Sequence, residues 1–397
     1  MNRLVELALV FLKQGTIGFG GPAAHIAMME DELVTRREWL SRQEFLDLVG
    51  ATNLIPGPNS TEIAIHIGRH RAGWLGLLVA GISFIVPAVL ITTLFAYIYV
   101  EFGSLPQMAP AMEGIKPAVL AIILSAGWKL GKQALKDAAA WLIAGTALTA
   151  SLFGADVVWT LLVVSLVGTI VLGWRSRPKP VPPAGPAAIP LGMQAATTTA
   201  VSASAAGAVS YWQLGLVFLK IGAVLYGSGY VLIAYLEGEF VANRGWLTNE
   251  QVFDAIAIGQ FTPGPILSTA TFIGYVMMSD AGPRAGLAGA AVASAGIFLP
   301  SFFFFAITGP IIPKLRQHRI TGCFLDAVNA ASLGLMAAVI AKLTLAVFLE
   351  SVDPLSLRWS SVGIFAIAAM AVLRWKVSAV WIVLTGALAG YGLSFIM

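Results

Sequence analysis

The stretch N-L-I-P-G-P-N-S-T-E at residues 53–62 decides the reading, because the chain carries a second version, Q-F-T-P-G-P-I-L-S-T, at 260–269. Proline removes a backbone donor and fixes φ, and glycine loosens the backbone further. Pro56-Gly57-Pro58 and Pro263-Gly264-Pro265 each therefore predict a broken helix. Both lie inside long apolar regions. In lipid, broken backbone is tolerated only where protein buries it or where it lines a cavity. Paired breaks at matching places in two halves point to a transporter's substrate site.

Composition sets the class. The 397 residues are 58% hydrophobic and only 11% charged, with a mean hydropathy of +0.83. A soluble protein has no way to cover that much apolar surface, so a polytopic membrane protein is predicted. Met1-Asn2-Arg3 runs into an apolar helix with no small-residue cleavage site after it, so no cleavable signal peptide is expected. A single cysteine, Cys323, excludes a disulfide framework and a cysteine metal cluster. The net charge of +4 reports loop placement rather than nucleic acid. His25 and His66 lack metal-ligand spacing, and polar contacts are the expected role for both. No Walker A motif and no convergent set of nucleophile, acid and metal ligands occurs. Neither ATP drive, an enzyme activity nor a cofactor is expected.

The two halves align at one offset. Lys13, Gly15, Glu32, Trp39, Asp47 and Gly57 meet Lys220, Gly222, Glu239, Trp246, Asp254 and Gly264, each 207 positions on. After short insertions, R-A-G-W-L-G at 71–76 meets R-A-G-L-A-G at 284–289, and Pro87 meets Pro300. The chain is a duplication, with a first half over 1–174, a linker over 175–210 and a second half over 211–397. Each half opens with an apolar helix, near 4–19 and 212–227. An amphipathic stretch, the P-G-P region and four hydrophobic segments follow. The later part of the linker, about 187–209, is apolar enough to be an extra crossing. Glu113 and Lys116 are spaced for a local ion pair.

Basic loops alternate along the chain, and their phase changes between halves. Arg69 and Arg71, then Lys129, Lys132 and Lys136, then Arg175 and Arg177 mark alternate loops of the first half. In the second half Lys314, Arg316 and Arg319 occupy the place of Glu101, and Arg374 and Lys376 that of Asp156. The positive-inside rule then orients the halves oppositely. The predicted fold is an all-α polytopic membrane protein, two homologous halves forming an inverted repeat. Each half is expected to have about five to six membrane helices and one helix broken at P-G-P.

The motifs G-F-G-G-P-A-A-H-I at 18–26, E-W-L at 38–40, and N-L-I-P-G-P-N-S-T-E at 53–62 resemble the chromate ion transporter superfamily. So do G-R-H-R-A-G-W-L-G at 68–76 and the second-half T-P-G-P with T-A-T-F-I-G-Y at 269–275. The match covers both halves and so resembles the long, two-domain form. The resemblance implies export of chromate across the bacterial inner membrane, with chromate resistance as the outcome. Where the family usually has F-G-G-G in its second half, this chain has Tyr226-Gly227-Ser228-Gly229. The alternatives are a transporter of sulfate or another oxyanion, by uptake or exchange, and a non-transporting membrane scaffold. The expected partners are the oxyanion, the lipid bilayer and, as an option, a second copy in a homodimer.

Chromate is a tetrahedral dianion, which needs donors and positive potential without a deep charge trap. Helix N-termini supply both. Asn59, Ser60 and Thr61 follow the first break, and Ser268, Thr269 and Thr271 follow the second. Asn53 and Gln260, matched across the repeat, add amide donors. With the two P-G-P motifs these form the candidate substrate site. The competing reading is that P-G-P only shapes helix packing, with Ser and Thr bonded to the preceding turn. Lys13 and Lys220 sit inside apolar helices and suit balancing a dianion, or they pair with a nearby carboxylate. Glu62, which has no acidic counterpart in the second half, where Thr269 stands, is the candidate for coupling a proton to anion movement, or else a helix N-terminal charge.

Overall fold

The computed structural model describes residues 2–19, 21–52, 55–103, 109–175, 209–226, 229–308, 319–349 and 358–395. The proposed crossing in the linker, the loop charges at Lys314 and Arg316, and Asn53 lie outside the described residues.

The described chain is an all-α membrane protein. In the first half α1 is Arg3–Ile17, α2 Gly21–Glu30, α3 Arg42–Thr52, α4 Asn59–Phe102, α5 Ala109–Ala134, α6 Ala138–Leu152 and α7 Val157–Arg175. The second half has α8 Tyr211–Val224, α9 Leu232–Leu236, α10 Asn249–Phe261, α11 Thr269–Met278, α12 Pro283–Thr308, α13 Arg319–Phe348, α14 Trp359–Arg374 and α15 Ala379–Ser394. In each half the second helix continues as a π-helix, Asp31–Arg36 and Glu237–Asn243. Among the described residues, five helices are long and apolar enough to cross a membrane. Their outer faces leave large apolar side chains such as Leu75, Leu166 and Leu299 exposed, as a lipid-facing surface requires.

The extra helix of the second half comes from a kink. α4 bends at Ala72 and at Gly73, whose φ of 66° favours glycine, and folds back on itself as two limbs, 59–71 and 74–102. Gly68 and Gly76 bring the limbs into backbone contact. In the second half α11 and α12 make the same hairpin through Gly274 and Gly289, with a short 3-10 turn between them. Before each hairpin the first helix crosses its second limb. A Cβ at Gly15 would strike the Phe84 carbonyl, and one at Gly222 would strike the matched Ile297 carbonyl. Small residues at such crossings let helices approach closely where lipid supplies no hydrophobic drive between them.

The halves do not sit side by side. α5 of the first half packs along α14 and α15 of the second, and α13 packs along α6 and α7 of the first. One apolar core therefore runs through both halves, from Ile85, Val119 and Ile143 to Ile297, Leu335 and Val383. A smaller core, with Leu7, Phe11, Phe45, Ile63 and Phe84, belongs to the first half alone. Lys116 does not pair with Glu113. It reaches Glu250 on α10 at 2.7 Å, because interleaving places a second-half carboxylate in reach.

Candidate functional site

The two P-G-P turns are short breaks of matching form. α3 ends at Thr52 and α4 begins at Asn59, while α10 ends at Phe261 and a 3-10 turn over Ile266–Ser268 precedes α11. Gly57 has φ 144° and Gly264 φ 87°, conformations that a side chain at either place would resist. Pro56, Gly57 and Pro58 are buried, as are Pro263, Gly264 and Pro265.

Each turn is held by the opposite half. The Gly57 N–H donates to the Leu225 carbonyl at 2.7 Å, and the Gly264 N–H donates to the Gly18 carbonyl at 2.8 Å. Gly18 and Leu225 are matched positions that cap α1 and α8. The carbonyls at the end of a helix lack intrahelical partners, so each turn satisfies one of them across the repeat. His25 Nε2–H also donates to Gly18 O, at 2.8 Å, which gives this histidine the polar contact its sequence suggests.

The chemistry around the two turns is not equal. Glu62 is 0% exposed, and neither carboxyl oxygen has a hydrogen-bond partner among the described residues. Ser301, from α12 of the other half, is equally buried, and its Oγ is equally unpartnered. Both side chains face Gly57 closely enough that a Cβ there would strike each of them. Tyr226, in the loop after α8, is within electrostatic reach of Glu62. Around the second turn Thr269 stands where Glu62 does, and Ala88 stands where Ser301 does; Ala88 lies against Gly264.

The remaining donors divide into free and committed groups. The Thr61 and Ser268 hydroxyls and the Gln260 amide nitrogen are buried without partners among the described residues. Ser60 is buried beside Thr61, and Asn59 opens α4 at a half-buried position. Thr269 Oγ1 is spent on the Ile266 carbonyl at 2.8 Å, and the Thr271 hydroxyl meets that of Ser294 at 2.7 Å. These two serve local packing, as short hydroxyl side chains in helices often do.

Lys13 and Lys220 are engaged elsewhere. Lys13 pairs with Glu32 at 3.6 Å, and Lys220 pairs closely with the matched Glu239. Arg37 and its match Arg244 bind the same two carboxylates, at 2.7 and 3.6 Å, and lie over Trp39 and Trp246. Each half thus ties its first helix to its π-helix with one Lys–Glu–Arg–Trp clamp. Arg37 holds the Glu32 carboxyl below its ordinary range. A lowered carboxyl value gives stability that is present at neutral pH and fades as pH falls through the folded value, so Glu32 contributes less to the clamp once acidification passes below the ordinary carboxylate range. A thermal-unfolding profile of the wild type against Glu32→Gln is expected to converge on acidification.

Ser301 and Tyr226 were not legible as site residues. Their one signal is placement, Ser301 directly after the matched Pro300 and Tyr226 at the departure from the glycine pattern.

Comparison with known proteins now bears on the chain. The profile of the family described as "Chromate transporter" matches residues 5–174 and 212–391, once in each half. A "Chromate transport protein" of Pseudomonas aeruginosa is 32% identical over 396 residues, covering 97% of this chain and 91% of that protein. One of Cupriavidus metallidurans is 32% identical over 349 residues, covering 85% of this chain and 82% of its own length. A "Probable chromate transport protein" of Synechococcus elongatus is 29% identical over 350 residues, with 86% and 84% covered. No solved structure matches the chain. Matched in both halves, and built as an all-α bundle with a polar seam between two broken helices, the chain belongs to the chromate transporter family.

Proposed function

We propose that this protein is a secondary transporter that exports chromate across the bacterial inner membrane and so confers chromate resistance. The carrying observation is the reciprocal seam, where each P-G-P glycine is hydrogen-bonded to the first helix of the other half. A substrate placed there touches both halves, so opening of the seam toward one side or the other exposes it, as at the repeat interface of transporters built from inverted repeats. The unpartnered hydroxyls of Thr61, Ser268 and Ser301 and the Gln260 amide offer donors to a tetrahedral oxyanion without a fixed positive charge. Pro56, Pro58, Pro263 and Pro265 hold the turns open for the backbone N–H groups of Asn59, Ser60 and Thr61.

Glu62 is the coupling group in this reading. A carboxylate beside the dianion repels it, whereas the proton-bound acid donates a hydrogen bond to it, so proton transfer and anion movement become linked. Cells expressing the protein are expected to accumulate less chromate than cells without it, with added sulfate as the competitor test. Pro56→Ala combined with Pro58→Ala should restore accumulation to that of cells without the protein. Glu62→Gln, which keeps shape but carries no exchangeable charge, is expected to remove the dependence of export on the pH gradient and to cut its rate about tenfold, near 1.4 kcal/mol. Unchanged accumulation with a correctly inserted wild type overturns the chromate reading, and raised accumulation suppressed by sulfate reverses its direction.

A further inference from the structure

A cavity of about 260 Å³, away from the P-G-P turns, is lined by Arg3, Trp39, Leu40, Ile67, His70 and Arg71. Arg3 heads α1, Trp39 and Leu40 follow the first π-helix, and His70 and Arg71 stand at the kink of α4. Arg71 is pre-set: Nη2 donates to Glu6 at 3.0 Å, and the guanidinium lies 3.9 Å over the Trp39 ring. Glu6 also accepts from Arg37, so one carboxylate is divided between two guanidinium groups. Around the cavity and its clamp, four cations (Arg3, Lys13, Arg37 and Arg71) meet three carboxylates, Glu6, Glu32 and Glu44. His70 feels Glu44 from α3, and that carboxylate is anchored to the Ser41 N–H at 2.7 Å. Arg3 is exposed and makes no ion pair among the described residues.

The surroundings specify the ligand. Ile67 is buried and forms an apolar floor with Leu40 and the Trp39 ring. Val5, Leu9 and Leu12 follow Arg3 on α1, and Trp74, Leu75 and Leu78 follow His70 and Arg71 on α4; all six are exposed apolar side chains, as a lipid-facing surface requires. Guanidinium groups match phosphate oxygens in geometry, and basic pockets at helix ends hold anionic head groups. We propose that this cavity is a binding site for a phosphate-type oxyanion, either free or as the phosphate of an anionic phospholipid. The site belongs to the first half alone, since Ser210 stands at the position matching Arg3 and Gln213 at that matching Glu6. It is independent of which anion the protein transports.

The test uses the full chain in nanodiscs of zwitterionic phosphatidylcholine. Inorganic phosphate is titrated in one arm, and phosphatidylglycerol replaces part of the lipid in the other. Thermal unfolding and native mass spectrometry of retained lipid report binding. The wild type should be stabilised in at least one arm, phosphate alone sufficing for a free oxyanion and phosphatidylglycerol alone for a head group. Arg3→Gln with His70→Gln should weaken that binding about tenfold, and Arg3→Lys should keep part of it. The double variant alters two exposed side chains and should unfold like the wild type in phosphatidylcholine without phosphate. The proposal is overturned if neither ligand binds the wild type, or if the double variant binds as tightly as the wild type.

Discussion

Gly57→Ala is expected to abolish chromate export and to destabilise the protein by about 3 kcal/mol, combining a side chain held at positive φ with an overpacked contact. The φ of 144° is one that alanine resists, and the added methyl would strike Ser301 Oγ and Glu62 Oε1 together. Relief requires moving α12 or the start of α4. Either shift lengthens the Gly57 N–H bond to Leu225 and opens the seam between halves. Gly264→Ala meets Ala88 Cβ at 2.8 Å and Gly15 O at 3.1 Å and should fail in the same way. Gly145 on α6 is the control, since a Cβ there meets nothing within 4 Å. Its alanine variant should be as stable as the wild type or gain up to about 1 kcal/mol of helix propensity. Thermal unfolding of the purified variants, with chromate accumulation in cells, measures both effects. Wild-type stability and export by Gly57→Ala would remove the seam from the mechanism.

The clamps should respond unequally, although they are built from matched residues. Glu239 is 2% exposed on its side chain, with Lys220 as its close partner and Arg244 at 3.6 Å. Lys220→Ala strands most of a buried charge. The cost of breaking a fully buried pair is about 3–5 kcal/mol, discounted here to about 2–3 because Lys220 is partly exposed. Glu32 keeps Arg37 at 2.7 Å when Lys13 is removed, and the Lys13 side chain is 55% exposed. Lys13→Ala should therefore cost under about 1 kcal/mol. Lys220→Met with Glu239→Gln should cost less than the sum of the single changes, because the stranded charge is gone. Unfolding of the single and double variants gives this coupling. A Lys13→Ala protein with normal stability and lost export would place that lysine on the substrate path instead of in the clamp.

Repetition and local chemistry were legible in the sequence. The offset between Lys13 and Lys220, or between Gly57 and Gly264, is visible because duplication copies positions. Apolar runs announce membrane helices because lipid admits few charges. Proline and glycine at P-G-P act on their own backbone, so the breaks at 55–58 and 262–265 follow from residue type alone. The carboxylates of the clamps, Glu32 and Glu239, and the lysines Lys13 and Lys220 were marked by their shared offset, though which side chains would pair was not.

Tertiary structure decided what each of these positions faces. Lys116 chose Glu250 over its neighbour Glu113 because α5 packs along second-half helices. Glu62 acquired Ser301 as a neighbour because α12 crosses the first turn, and Ser301 lies more than two hundred positions away with no sequence link. The two turns bond to each other's first helices rather than to their own. Such pairings depend on how distant segments interleave around one core, and helical periodicity records only which face of a helix is apolar, not which helix covers it. The duplicated sequence thus specified two similar halves with two broken helices. Their interleaving gave the halves one continuous core and set the buried Glu62 carboxylate beside the Gly57 turn, with Ser301 of the other half facing it.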